Sequence, residues 1–207
     1  KKAILILWAT AAAAAGFSGA SALKFTADAV AFGPRTPGSG ALGELREYIR
    51  SNLKQCRCEV SEDAFTARTP AGPISMRNII ARFPGNSGRA IAVTGHYDTK
   101  VFRDFRFVGA NDAGSSTGFL LELARVLAGA PRKDDVYLVW FDGEEAFGEW
   151  SATDGLYGSR HLAARWAADG TARRLKALIN VDMIGDRDLA IAKDSLSSPV
   201  IGRLVWQ

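Results

Sequence analysis

Apolar and polar positions alternate along this chain with two periods. Leu42, Leu45, Ile49 and Leu53 recur at helical spacing and predict a helix over residues 41–55. Residues 57–66 alternate loosely, as a strand does, and a Pro/Gly turn follows at 69–73. Arg77 to Phe83 is a second candidate strand, closed by a turn from Pro84 to Gly88. Ala90 to Thr94 and Val136 to Phe141 are short apolar runs of the kind that sits centrally in a sheet. Helices are predicted over 116–128 and over Ser159 to Ala168, and a further strand over Leu175 to Val181. This alternation predicts a three-layer α/β domain. Its central sheet is mixed and mostly parallel, with helices on both faces.

Two long loops interrupt the pattern, Tyr97 to Gly114 and Asp142 to Gly158. Long loops within compact domains are usually functional. In open α/β sheets, ligands bind beyond the carboxyl ends of the strands. His96, Glu144, Glu145 and Asp182 fall at such ends, and Asp112 precedes a helix. All five are therefore expected on one edge of one sheet.

Adjacent glutamates after the apolar run VYLVWF need compensation, because burying unpaired charge is costly. A divalent metal supplies it. One glutamate can then bind metal while the other acts as general acid/base, their pKa values pushed apart. His96 and Asp98 form His-x-Asp, in which Asp98 could orient a metal-binding imidazole. Asp112 suits a metal ligand or a helix N-cap equally well. Asp182 could be a ligand, a hydrogen-bond partner or a cap. His161, in a helical segment beside Ser159 and Arg160, reads as structural or exposed.

Composition narrows the picture. The chain has 207 residues, 47% of them apolar and 23% charged, ordinary values for a domain with a full core. The formal net charge is +4, without a Lys/Arg cluster interleaved with aromatics, so no nucleic-acid partner is expected. Lys1 and Lys2, the apolar run Ile4 to Gly16 and the small residues Ala20-Ser21-Ala22 fit a secretory signal over 1–22. The folded domain is then expected over 23–207, secreted or periplasmic. Retention of the leader as a membrane anchor is the lesser alternative, because the run is short for a spanning helix. Cys56 and Cys58 are the only cysteines, which excludes a disulfide framework. Neither a Gly-x-Ser-x-Gly elbow nor a P-loop is present.

Taken together, GHYD, GANDAGSSTG, the Glu144-Glu145 pair and VDMIGD resemble the zinc aminopeptidase superfamily that also contains the glutaminyl cyclases. The run from Phe141 to Arg165, FDGEEAFGEWSATDGLYGSRHLAAR, resembles the cyclase branch more narrowly, as does FGPRTPGSGALGELREYI. For a cyclase the resemblance implies one zinc, held by Asp112, Glu145 and a histidine that would lie beyond Gln207. It implies Glu144 as general acid/base, Asp182 as an acidic partner near the reacting amide, and Trp150 beside the substrate. The substrate would be a peptide or protein N-terminus and the enzyme a monomer. For an aminopeptidase it implies two zincs, with His96 and Asp182 holding the second, Asp112 bridging, and Glu144 activating water. A third reading is a binding domain that keeps the fold without the chemistry. On the one-zinc set the chain is expected to be the N-terminal two-thirds of the domain, one ligand short and weak in zinc binding.

Overall fold

The computed structural model describes residues 16–191 and 195–206. Residues 1–15, the core of the expected leader, lie outside them. Two helices open the described chain, α1 (Gly19–Ala31) and α2 (Gly40–Leu53). A hairpin follows, β1 (Glu59–Thr69) and β2 (Gly72–Phe83), then β3 (Ala90–His96), α3 (Ser116–Gly129) and β4 (Asp135–Phe141). The chain continues through α4 (Tyr157–Asp169), the single turn α5 (Thr171–Arg174), β5 (Leu175–Asn180) and α6 (Pro199–Val205). Among the described residues no helix is long and apolar enough to cross a membrane.

The strands form one sheet in the order β1-β2-β4-β3-β5. β3 runs parallel to both β4 and β5, while β2 is antiparallel to β1 and β4. Four strands therefore share a direction and β2 alone opposes them, which agrees with the mixed, mostly parallel sheet expected from the pattern.

Side chains alternate across the sheet, so each central strand feeds two cores. On one face Ile79, Ala81, Phe83, Leu138 and Trp140 meet Leu42, Leu45 and Ile49 of α2 and Leu120, Leu121 and Ala124 of α3. On the other, Ile80, Tyr137, Val139 and Phe141 meet Leu162 and Trp166 of α4. Helix α2 begins where Ser39 accepts the backbone N–H of Leu42, at 3.2 Å. Cys56 and Cys58 are free thiols against the first core, and burial pushes Cys58 up to about 11.

Helix α1 crosses the expected leader boundary at Ala22 and lies against α3. The approach is close enough that a Cβ on Gly118 would sit 2.5 Å from the Ala22 carbonyl oxygen and 2.7 Å from the Thr26 nitrogen. Gly118→Ala is expected to destabilise the protein by about 1–3 kcal/mol, because backbone cannot yield as a side chain tip can. Thermal melting of the variant against the parent checks this. An unchanged melting temperature would mean that the two helices do not touch in solution.

Candidate metal centre and active site

Register places the chemistry. His96 pairs with Phe141 across β3 and β4, so the chain leaves both strands at the same level. Thr94 pairs with Asn180 across β3 and β5, and Val181 donates its N–H to the Thr94 carbonyl at 2.8 Å. Residues 96–98, 142–145 and 181–182 therefore emerge side by side. This is the edge at which open α/β sheets bind ligands.

Asp112 reaches that edge differently. It lies in a wide turn, Ala110–Ser115, entered through Gly109 at φ 50°. A Cβ on Gly109 would meet Thr99 at 2.8 Å, so the tight entry requires glycine. Asp112 itself is extended (φ −81°, ψ 107°), and α3 starts four residues later with Ser115 at its N-cap. The N-cap reading of Asp112 is thereby excluded: its carboxylate is free to face the strand ends. Arg35, fully buried, holds the turn from behind. Its guanidinium donates to the carbonyls of Gly33, Val108 and Gly109 at 2.8, 2.7 and 3.1 Å. Burial lowers the Arg35 pKa to about 10, and the charges of Asp98 and Asp112 oppose that shift.

The donors converge on His96, which is 2% exposed. Its Nε2 lies 3.0 Å from Asp112 Oδ1 and 3.5 Å from Asp182 Oδ1. Ligand atoms of these three residues all fall within 4.8 Å of one another. Yet Nε2 makes no well-aligned hydrogen bond, although it is buried. An imidazole nitrogen aimed between two carboxylates without a proper acceptor is how a metal-binding set looks when its donors face a common point. The residues present therefore fit a divalent ion. Glu145, 5% exposed, adjoins the set: after burial, the Asp112 charge is the next cause of its raised pKa.

Asp98 organises the other side. It is fully buried, with Oδ1 3.4 Å from His96 Nδ1. It also accepts the backbone N–H groups of Glu144 at 3.1 Å and Glu145 at 3.3 Å. One carboxylate thus orients the imidazole and fixes the turn that carries both glutamates, a wider role than the His-x-Asp spacing alone suggests.

Glu144 lies 4.0 Å from His96 Nδ1 with its side chain 21% exposed. Burial raises its pKa to about 7; the His96 charge opposes this, and the charges of Asp98, Asp182 and Asp112 add to it. Burial and the Asp112 charge hold Glu145 at about 8. Burial works against a charged His96, but the carboxylates of Asp112, Asp182 and Asp98 beside its ring prevail and hold its pKa well above the ordinary value.

The remaining predicted residues divide. Trp150 is 51% exposed and lies over Gly155 in the loop between β4 and α4. His161 stacks on Phe65 and pairs with buried Asp63 at 3.0 Å, the structural role expected of it. Arg35, Asn111 and Ser115 escaped the sequence reading. Asn111 Oδ1 accepts the N–H of Gly185 at 2.7 Å and Ser115 Oγ that of Ile184 at 3.1 Å, tying the Asp182 loop to the Asp112 turn. An arginine in a Pro/Gly loop and polar residues in a glycine turn carry no periodic signal that marks them.

A pH dependence follows. Glu144, Glu145 and His96 hold protons more tightly folded than unfolded, since each pKa is raised. That contribution is fully present below the unfolded values and is lost as pH rises through the folded ones. The melting temperature of the metal-free protein is expected to fall from about pH 6 to about pH 9, while saturating Zn2+ displaces these protons and stabilises more at the higher pH. Calorimetry with and without Zn2+ checks this; equal stabilisation at both pH values contradicts it.

Comparison with known proteins accords with this geometry. Residues 78–202 match the model of peptidase family M28. A glutaminyl-peptide cyclotransferase of Drosophila melanogaster is 36% identical over 163 residues, 76% of this chain and 46% of that protein. The chain spans about half the length of the curated relatives it matches. Among solved structures, an Acidobacteriales bacterium glutaminyl cyclase superposes with TM-score 0.85 and 42% identity, over 97% of this chain and 69% of that one. A Zn-dependent exopeptidase from Parabacteroides distasonis superposes with TM-score 0.73 and 25% identity, over 85% of this chain and 65% of that one. With its strand-end His, Asp and Glu donors on a mixed open sheet, this chain belongs to peptidase family M28.

Proposed function

We propose that the protein containing this chain is a zinc-dependent glutaminyl cyclase, which converts an N-terminal glutamine to pyroglutamate and releases ammonia. The observation that carries this reading is the 42% identity to a glutaminyl cyclase structure over nearly the whole chain. The run from Phe141 to Arg165 adds to it. Asp112 and Glu145 would hold one Zn2+, with a histidine from a continuing chain as third ligand. Bound there, the ion would act as a Lewis acid toward the γ-carboxamide carbonyl.

The chain's own residues would do the rest. The substrate's free α-amine attacks the carboxamide carbon, so a C–N bond forms and the bond to the amide nitrogen breaks. Glu144, raised to about 7, is suited to take the proton from the amine and deliver it to the departing ammonia. Asp98 keeps Glu144 in place through its backbone N–H. Asp182, partly exposed at the mouth, would accept a hydrogen bond from the amide, and Trp150 would wall the substrate. The reaction is intramolecular, so holding the glutamine folded supplies much of the rate. The substrates would be peptide or protein N-termini, and the enzyme an exported monomer.

One observation favours a second reading. His96, Asp112 and Asp182 already form a compact donor set, the one a dizinc aminopeptidase would use for its second ion. Elemental analysis of the full gene product is expected to give about one zinc per chain if a single set is filled; about two would favour the peptidase. Incubated with Gln-peptides, the full gene product is expected to release ammonia and pyroglutamyl peptide. Glu144→Gln should lower kcat by about 10²–10⁴-fold. Release of free glutamine without pyroglutamate would overturn the cyclase reading.

A further inference from the structure

A polar cleft of about 160 Å3 opens at the start of α2. Gly38 and Ser39 bring the N-terminal end of the helix to it, and Arg46 enters from the second turn. Ser75 and Arg77 line it from β2, and Asp142 from the residue after β4. None of these residues is a donor of the metal centre. Register assembles them: Ile79 pairs with Trp140, so Arg77 and Asp142 come level just beyond the paired stretch. The Arg77 N–H donates to Asp142 Oδ2 at 2.7 Å.

Two buried groups of the cleft residues lack hydrogen-bond partners. Asp142 is 1% exposed, and its Oδ1 has no partner. Arg46 Nε is buried and has none either, with Glu62 Oε1 standing 4.0 Å away. Buried polar groups left unpaired are costly and uncommon, so each calls for a ligand or a reason.

Positive charge is in surplus there. Glu62 is shared among three arginines: Oε2 meets Arg77 Nη1 at 3.1 Å, Oε1 meets Arg50 Nη1 at 3.3 Å, and Arg46 is the most distant. Arg50 has a second carboxylate in Glu47, whereas Arg46 and Arg77 have no other ion-pair partner among the described residues. Burial, then the Asp98 charge, pushes the Asp142 pKa up to about 8, which favours its neutral form at pH 7. Since Oδ2 accepts the Arg77 N–H, the proton belongs on Oδ1 and makes that atom a donor. Ser39 Oγ accepts the Leu42 N–H, which leaves its hydroxyl hydrogen to donate. The N-terminal end of α2 adds a positive dipole end.

We propose that this cleft binds a small free oxyanion of the phosphate class. Arg46 Nε, the Arg77 guanidinium, the Ser39 and Ser75 hydroxyls and the Asp142 carboxyl would donate to it. A cation would be repelled by the arginines, and a neutral ligand would leave their charge uncompensated. The volume suits a single ion. The cleft begins two residues ahead of Glu144, and its occupancy is independent of which reaction the metal centre performs.

Inorganic phosphate is titrated calorimetrically into the full gene product, zinc-loaded and dialysed free of unbound metal. Chloride at about 0.15 M screens loose surface binding. One phosphate per chain is expected, with a Kd of about 1 mM or below. Arg46→Gln is expected to weaken binding by about tenfold or more, and Arg77→Gln likewise, so the test stands if one variant fails to fold. Asp142→Asn is expected to bind as the parent does, because its amide donates where the carboxyl did and its oxygen still accepts the Arg77 N–H. Absence of binding to the parent overturns the site, the cleft then holding water alone. Binding that both arginine variants retain overturns it too, by placing the phosphate on the zinc or elsewhere. Loss of binding in an Asp142→Asn variant that melts like the parent overturns the donor role of Asp142. Binding of O-phosphoserine without binding of inorganic phosphate overturns the choice of a free ion. Pyroglutamate formation is not the readout, so failure of the cyclase reading leaves these outcomes unchanged.

Discussion

Negative charge concentrated at one edge of a sheet is the constraint on which this structure depends. Asp98, Asp112, Asp142, Glu144, Glu145 and Asp182 gather around His96 and Arg35, and burial raises the pKa values of Asp142, Glu144 and Glu145. At separations near 4 Å, like charges repel by about 4 kcal/mol even at an effective dielectric of 20. Without a metal, the compensation comes from protons on Glu145 and His96 and from the Arg35 guanidinium. With a divalent ion bound, Asp112 and Glu145 would be among its ligands and those protons would leave. Proton and metal would compete for one set of donor atoms, so the site's acidity and its metal affinity are linked.

Holding such a set together requires rigid supports. Three parallel strands deliver their ends at one level, and the loops beyond them are bound to each other rather than to solvent. Asp98 fixes the Glu144-Glu145 turn, Arg35 fixes the Asp112 turn, and Asn111 and Ser115 fix the loop after Asp182. Asp142 belongs to the same framework. Its Oδ2 accepts the Arg77 N–H at 2.7 Å and its own N–H donates to Asn78 at 3.0 Å, while burial pushes its pKa up to about 8. Helices α1 and α3 brace the Asp112 turn from below, which links the N-terminal segment to the metal centre.

Cyclase and peptidase readings share this scaffold and differ in occupancy. Glu144, its pKa raised to about 7, would carry the proton in either reading. What separates them is whether His96 and Asp182 take a second ion or support a single one, and whether the proton goes to a leaving ammonia or comes from an attacking water. The donor geometry around His96 is ready for an ion, whereas Asp98 at its other nitrogen serves equally to hold the ring still. Fold alone does not choose between two chemistries grafted on the same strand ends.

Sequence by itself determined the elements and the edge. Apolar periodicity located α2, α3, α4 and four strands within a few residues, found β2 from Arg77 although it begins at Gly72, and missed α1. Strand-end logic put His96, Glu144, Glu145 and Asp182 together, because alternation and element order are local properties that survive in one dimension. Tertiary structure alone decided the rest. Asp112 could be a cap or a ligand until the chain's path through Gly109 and Ala113 aimed it at His96. Arg35 gave no signal because its importance comes from carbonyls more than seventy residues away.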